Sequence, residues 1–350
     1  MLQMNFIAWV IEAVLIMKSN FLCLFFIIGS IFAVSSHAEQ NAPWSFDAVV
    51  QVRITVPEDA RTATMFGTNR VASGVVIDNL GHILTIGFQT IEAQAVEIVS
   101  QHGEIATGVV VAYDSVTGFG LLRANSPLEV GPIIFGRSSE IKEGDPVFVA
   151  GYLDEVSVKG VIAIARKEFA GSWEYLLENA IFTTPPVNYF SGAALINHHG
   201  HLVGIGYLIT PLMVQDIGAI STNMFIPIDL VKPILSDLKF LGRTKLSQRP
   251  WLGVRTEEIR GYLFVEHVRS GGPFENAGIK SGDIILAVNN HPVQGMADFY
   301  RKVWAIGEAG VNVPLSILQG AQIRDIVVQS TTRNQFRRPA QKEKQSINKL

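Results

Sequence analysis

Between residues 48 and 228, apolar and polar residues alternate in short runs that turn residues keep interrupting. VVQVRITV (49–56), SGVVID (73–78), HILTIG (82–87), AVEIVS (95–100) and TGVVVAYD (107–114) are such runs. So are PVFVAG (146–151), VSVKGVIAIAR (156–166), AALIN (193–197), HLVGIGYLI (201–209) and NMFIPI (223–228). A period of two sends alternate side chains to opposite faces of a strand, so these runs suit half-buried strands. Turn signals at this spacing point to a sandwich or barrel. Two stretches echo each other: SGVVIDNLGHIL (73–84) and SGAALINHHGHL (191–202). Each reads as a strand, a polar turn with Gly-His and a returning strand, as two similar β-barrels in one chain would give.

Helical periodicity enters later. DLVKPILSDLKFLG (229–242) places Leu230, Ile234, Leu238 and Leu241 on one face, with Asp229 positioned to cap it and Gly242 to end it. A polar stretch, RTKLSQRP (243–250), separates it from a second unit of strands with one helical candidate, ADFYRKVWAI (297–306). The last residues hold six Lys/Arg against one Glu and little apolar content, which reads as a disordered basic tail.

Composition closes off several classes. A length of 350 residues with 48% apolar content fits two domains with real cores. The net charge of −3 offers no basic field to hold nucleic acid. The single Cys23 excludes an intramolecular disulfide and a Cys-based zinc site. It lies within FLCLFFIIGSIFAV (21–34), preceded by Met17-Lys18 and followed by Ser36-His37-Ala38. A basic start, a short apolar run and small residues before the break make a secretory signal, and Met17 is a better start than Met1. The alternative reading is an uncleaved inner-membrane anchor facing the periplasm. A chain that is cysteine-free after residue 38 suits an oxidising periplasm. His198, His199 and His201 are the nearest approach to a metal cluster, but a strand-turn-strand setting splays them; no metal or cofactor is expected.

The ordered series SGVVIDNLGHILT, YDSVTGFGLLR, FGRSSEIKEGDPVFVAG, FSGAALINHHGHLVGIG and FIPIDLVKPIL, followed by a PDZ-like unit, resembles the HtrA (Deg) family. The resemblance covers about residues 45–330. It implies an exported trypsin-like double β-barrel followed by an α+β PDZ domain, mainly β overall. The implied division is a signal peptide at 1–38, a degenerate protease domain at 39–242, a linker at 243–250, a PDZ domain at 251–332 and a tail at 333–350.

Carried over position by position, the family's chemistry is mostly gone. Where members read I-L-T-N-N-H-V-V, this chain reads I-L-T-I-G-F-Q-T, so the general base is Phe88. Where they read T-D-L-A-V-L, it reads T-G-F-G-L-L, so the orienting Asp is Gly118. Where they read G-N-S-G-G-P-L, it reads Y-F-S-G-A-A-L, and only Ser191 survives. A Ser hydroxyl needs a neighbouring base to become a nucleophile, and losing that base typically costs on the order of 10⁶ in turnover. Tyr189 stands where a Gly would shape the oxyanion hole, and the loop is one residue short, so an aromatic ring filling the old specificity pocket is expected. Asp114 reads as a local backbone cap.

The second unit keeps more. Trp251, Leu252, Gly253 and Val254 match the family's carboxylate-binding loop, whose N–H groups receive a peptide's C-terminal carboxylate while the next strand pairs with the peptide. Phe299 and Val303, spaced i, i+4, would wall that groove. The resulting expectation is a catalytically dead homologue that binds peptides or unfolded envelope proteins with apolar C-termini. Trp44 and Phe46 mark a place where relatives form trimers, with packing on their own barrel as the alternative. The rival functions are a serine endopeptidase using Ser191 with another base, and a structural envelope protein organised by its PDZ domain.

Overall fold

The computed structural model describes residues 46–336, which lie within one compact unit. The signal-peptide reading, Trp44 and most of the basic tail fall outside the described residues.

Six strands make the first barrel: β1 (Val49–Thr55), β2 (Asn69–Val76), β3 (His82–Ile86), β4 (Ala95–Val99), β5 (Ile105–Tyr113) and β6 (Phe119–Ala124). They close in the order β1-β2-β3-β6-β5-β4. Six more make the second: β7 (Pro146–Tyr152), β8 (Val156–Gly171), β9 (Tyr175–Thr184), β10 (Ala194–Ile196), β11 (Leu202–Val214) and β12 (Gly218–Pro227). Its order, β10-β11-β12-β9-β8-β7, is the first barrel's path repeated six strands on. Closure removes the exposed sheet edges that would otherwise invite pairing with other chains. Both barrels share a buried cluster that runs from Val50, Val52 and Ile54 to Ile205, Met224 and Ile226.

The duplicated architecture agrees with the expected pair of barrels, but the echoed segments are not its equivalent parts. One echo is the β2–β3 turn; the other is β10–β11, which corresponds in topology to β4–β5. A polar Gly-His turn suits either hairpin, so the likeness reflects turn chemistry.

The helix expected at 229–242 is shorter. A 3-10 turn covers Ile228–Leu230. Helix follows only at Leu235–Leu241, after the short α1 (Ala63–Phe66) the second in the chain and hence α2. Pro233 brings no N–H and restricts Lys232 before it, so one continuous helix cannot form from 229. Ile234 and Leu238 are buried, but Leu230 and Leu241 are exposed. Gly242, with φ +68°, ends α2 as expected. Asp229 does not cap it; its carboxylate accepts the Ser139 N–H at 2.8 Å and the Lys232 ammonium at 2.6 Å. Partial burial pushes its pKa up, but these partners prevail and hold it at about 2.

The C-terminal unit is a six-stranded sheet of β13 (Val254–Ile259), β14 (Tyr262–Val268), β15 (Ile284–Val288), β16 (His291–Pro292), β17 (Asn312–Gln319) and β18 (Gln322–Gln329). The order is β13-β14-β15-β17-β18, with β16 on β15, which leaves β13 at an edge. Asn289 and Asn290 join β15 to β16 with φ of 47° and 64°, the left-handed pair that a type I′ turn needs. Helices α3 (Pro273–Asn276) and α4 (Met296–Ala305) complete the unit, and a bridge between Trp251 and Thr331 closes it. The preceding stretch 243–250 is bound at its end: Arg249 lies 4.0 Å over the Trp304 ring, and Gln248 O accepts the Ala309 N–H at 2.8 Å.

Candidate functional site

Two sites are set side by side by this arrangement, the cleft where Phe88, Gly118 and Ser191 meet and the groove beside β13.

Phe88 sits on a 3-10 turn, Gly87–Thr90, that β3 delivers to the cleft. Its ring is 5.2 Å from that of Phe66 on α1 and 5.8 Å, edge-on, from Tyr207 on β11. Tyr207 continues to Tyr175 at 5.1 Å, and Tyr175 stacks on Trp173 at 6.1 Å. An aromatic network therefore surrounds Phe88, and burial pushes the Tyr175 and Tyr207 phenols well above their ordinary pKa. These groups cannot serve as bases near neutral pH.

Gly118 has φ +90°, where a side chain is strained, and an added Cβ would meet Tyr175 Oη and Ile226 Cδ1, each at 3.0 Å. Tyr175 Oη instead donates to Thr117 O at 2.7 Å. Asp114 folds the turn before it, its carboxylate accepting the Thr117 N–H at 2.8 Å and the Thr117 hydroxyl at 2.6 Å. Ser191 Oγ receives a hydrogen bond from the Gln89 amide at 3.3 Å. An amide nitrogen donates here and takes no proton, so the nearest polar neighbour does not activate the hydroxyl. Tyr189 and Phe190 pack against the inner cluster of the second barrel, which includes Val149, Ile181 and Phe225. Phe46 packs on the barrel core. The rings of His198 and His199 approach to 3.8 Å, so these two do not splay as the strand-turn-strand pattern suggested.

The groove is built differently. The N–H groups of Leu252, Gly253 and Val254 converge on one carboxylate, that of Glu174 in the turn between β8 and β9. Oε2 accepts from Leu252 at 2.8 Å; Oε1 accepts from Gly253 at 2.9 Å and Val254 at 3.1 Å. Glu174 is buried, and its φ of 56° belongs to the left-handed region uncommon for a residue with a side chain. Burial raises its pKa, while the Arg333 charge and the three N–H groups oppose that rise. Since both oxygens accept, the geometry fits the carboxylate form.

The same turn meets both walls of the groove. Ser172 O accepts the Thr256 N–H of β13 at 3.0 Å, and Gly171 O accepts the Tyr300 hydroxyl of α4 at 2.7 Å. The Tyr300 oxygen in turn accepts the Glu174 N–H at 3.1 Å. Leu176 joins the buried cluster that contains Leu252, Phe299 and Val303. Phe299 and Val303 thus lie beneath the docked hairpin, both 1% exposed or less, instead of lining an open groove. Trp251 is buried and bonded to Thr331. A mainly apolar cavity of about 700 Å³ lies between the two sites, with Phe66, Phe88 and Tyr207 on the barrel side and Trp251 and Arg269 on the other.

Sequence reasoning missed Glu174, Ser172, Leu176 and Tyr300. Their roles arise from partners far away along the chain, and no local spacing signals them. Tyr175 and Tyr207 were missed for the same reason.

A trypsin-like peptidase domain followed by a PDZ domain is the class that this fold defines. Residues 72–205 match the family described as trypsin-like peptidase domain, and residues 250–329 match the PDZ domain family. The periplasmic pH-dependent serine endoprotease DegQ of Escherichia coli is 26% identical over 275 residues, which cover 74% of this chain and 58% of DegQ. The putative serine protease HhoA of Synechocystis is 28% identical over 302 residues, covering 76% of this chain and 71% of HhoA. Among solved structures, the HtrA-type protease AlgW with a decapeptide has a TM-score of 0.52 at 19% identity, over 82% of this chain and 96% of AlgW. The serine endoprotease from Yersinia pestis has a TM-score of 0.50 at 26% identity, over 82% of this chain and 94% of that protein. The chain is a homologue of the HtrA/DegP serine endoproteases, and it spans somewhat over half the length of several of the curated relatives it matches.

Proposed function

We propose that this protein is a non-catalytic HtrA-type factor of the bacterial periplasm that binds the C-termini of peptides or unfolded envelope proteins. The observation that carries the reading is the contrast at the two sites. The base position holds a ring packed among other rings, and the Ser191 hydroxyl meets the Gln89 amide, which is a donor. The PDZ loop, by comparison, holds a carboxylate on three N–H groups, which supports its use as a carboxylate receptor. The name of DegQ places that relative in the periplasm, and the AlgW structure carries a peptide; both support extending those properties to this chain.

The bound terminus ends in an apolar residue with a free carboxylate. Fluorescence anisotropy with a labelled peptide of that type tests this. Amidation should weaken binding about tenfold or more, since a hydrogen bond to a charged group is worth roughly 1.5–3 kcal/mol. Equal binding of acid and amide would remove the carboxylate-reading role. As a homo-trimer, the protein would scatter light as three chains. A monomer unchanged by Phe46→Ala would reject that assembly.

A further inference from the structure

The β8–β9 turn meets the PDZ unit with the groups that a bound C-terminus would use. A carboxylate sits on the N–H groups of Leu252, Gly253 and Val254. A backbone carbonyl, Ser172 O, takes the Thr256 N–H of the edge strand β13. An aliphatic side chain, Leu176, enters the cluster with Leu252, Phe299 and Val303. Ser172 stands against Thr256 and the Glu174 carboxylate against Val254, so the segment runs antiparallel to β13. That is the direction in which a strand adds to an antiparallel edge with its acid end at the loop.

We infer that the hairpin tip Gly171–Leu176 is an internal ligand of the PDZ groove, and that an external C-terminus engages the groove only by displacing it. The inference rests on the groove's being a carboxylate receptor, and it adds that the receptor is already filled in cis. The occupant is tethered through β8 and β9 to the second barrel, so it competes at the high effective concentration of an intramolecular ligand. A competing terminus must supply what leaves: a carboxylate for Glu174 and an apolar side chain for Leu176. Arg333 reinforces the closed arrangement by donating to the carbonyls of Trp173 and Glu174. Displacement withdraws Trp173 from the Tyr207 ring of β11, 6.2 Å away, which gives the event an optical signal.

The test uses the full chain as wild type, Glu174→Gln and Leu176→Ala, each checked for an intact thermal transition. The probe is a fluorescein-labelled, Trp-free decapeptide ending in Leu, as free acid and as amide. The expected result is at least tenfold tighter binding of the acid to Glu174→Gln, a smaller gain for Leu176→Ala and no gain for the amide. Saturating acid should also red-shift the tryptophan emission of the wild type. If the acid binds the wild type and both variants equally, the internal ligand is ruled out while the peptide-binding reading stands. If no protein binds the acid, amide hydrogen exchange decides. Loss of protection at Gly253, Val254 and Thr256 in Glu174→Gln supports the internal ligand although the peptide reading falls; unchanged protection overturns both.

Discussion

The cleft and the groove differ in what meets their key groups: rings in one, a carboxylate in the other. In the cleft, Ser191 lies with Phe88 and Gly118, which on the proposed reading stand in place of a base and its orienting acid, and a ring network packs behind them. In the groove, the receiving N–H groups are intact and satisfied, and what fills them comes from the protein itself. A catalytic site fails when one proton acceptor goes, because its parts act as a unit. A backbone receptor is harder to lose, because its donors belong to the main chain and survive side-chain change. Divergence would therefore be expected to erase proteolysis first and recognition last.

The comparison is broken most sharply at Glu174. Glu174→Ala strands three buried donors and empties the space between turn and loop, so urea unfolding should show a loss of about 2–4 kcal/mol. A loss below about 0.5 kcal/mol would mean that water satisfies the loop equally well.

Next comes Gly118→Asp, the attempt to restore the orienting acid. A side chain at φ +90° that presses on Tyr175 Oη and Ile226 should cost about 1–3 kcal/mol. Combined with Phe88→His it should yield no casein hydrolysis above background. Recovery of Ser191-dependent turnover would show that the oxyanion donors are still in place.

Asp229 provides a control away from both sites. Its pKa is held at about 2, below the ordinary 3.8, so its contribution is present above pH 3.8 and fades as pH falls toward 2. Asp229→Asn should cost about 1 kcal/mol at neutral pH, the two proteins converging in stability at the acid end of a pH series. Neither peptide binding nor cleft chemistry should change.

The smallest effect belongs to Ser191→Ala. Its hydroxyl accepts one long bond from Gln89, so the change in midpoint should correspond to about 0.5 kcal/mol or less.

How far the sequence revealed these sites differs in the same way. Short apolar runs bounded by turn residues located β1, β3 and β4 almost to the residue, because that signal is local. The α4 helix, expected at 297–306, runs Met296–Ala305. Strand β9 was passed over, because Tyr175-Leu176-Leu177 and Ile181-Phe182-Thr183 are buried as continuous runs, on both faces. Phe88, Gly118 and Ser191 are singled out by position in the ordered motif series, and the structure brings their segments together through the Gly87–Gly118 and Gln89–Ser191 hydrogen bonds. Glu174 is not singled out: in sequence it is one charge in a turn, and its meaning comes from a loop 78 residues further on.

The most direct measurement of the central claim is labelling of the full chain with a fluorophosphonate probe, which reacts with an activated serine. It would be run with and without a peptide ending in a free apolar carboxylate, against a Ser191→Ala control. The account predicts no labelling above the control in either condition, because opening the groove restores no base beside Ser191. Labelling that depends on Ser191, in the presence or absence of peptide, would contradict it.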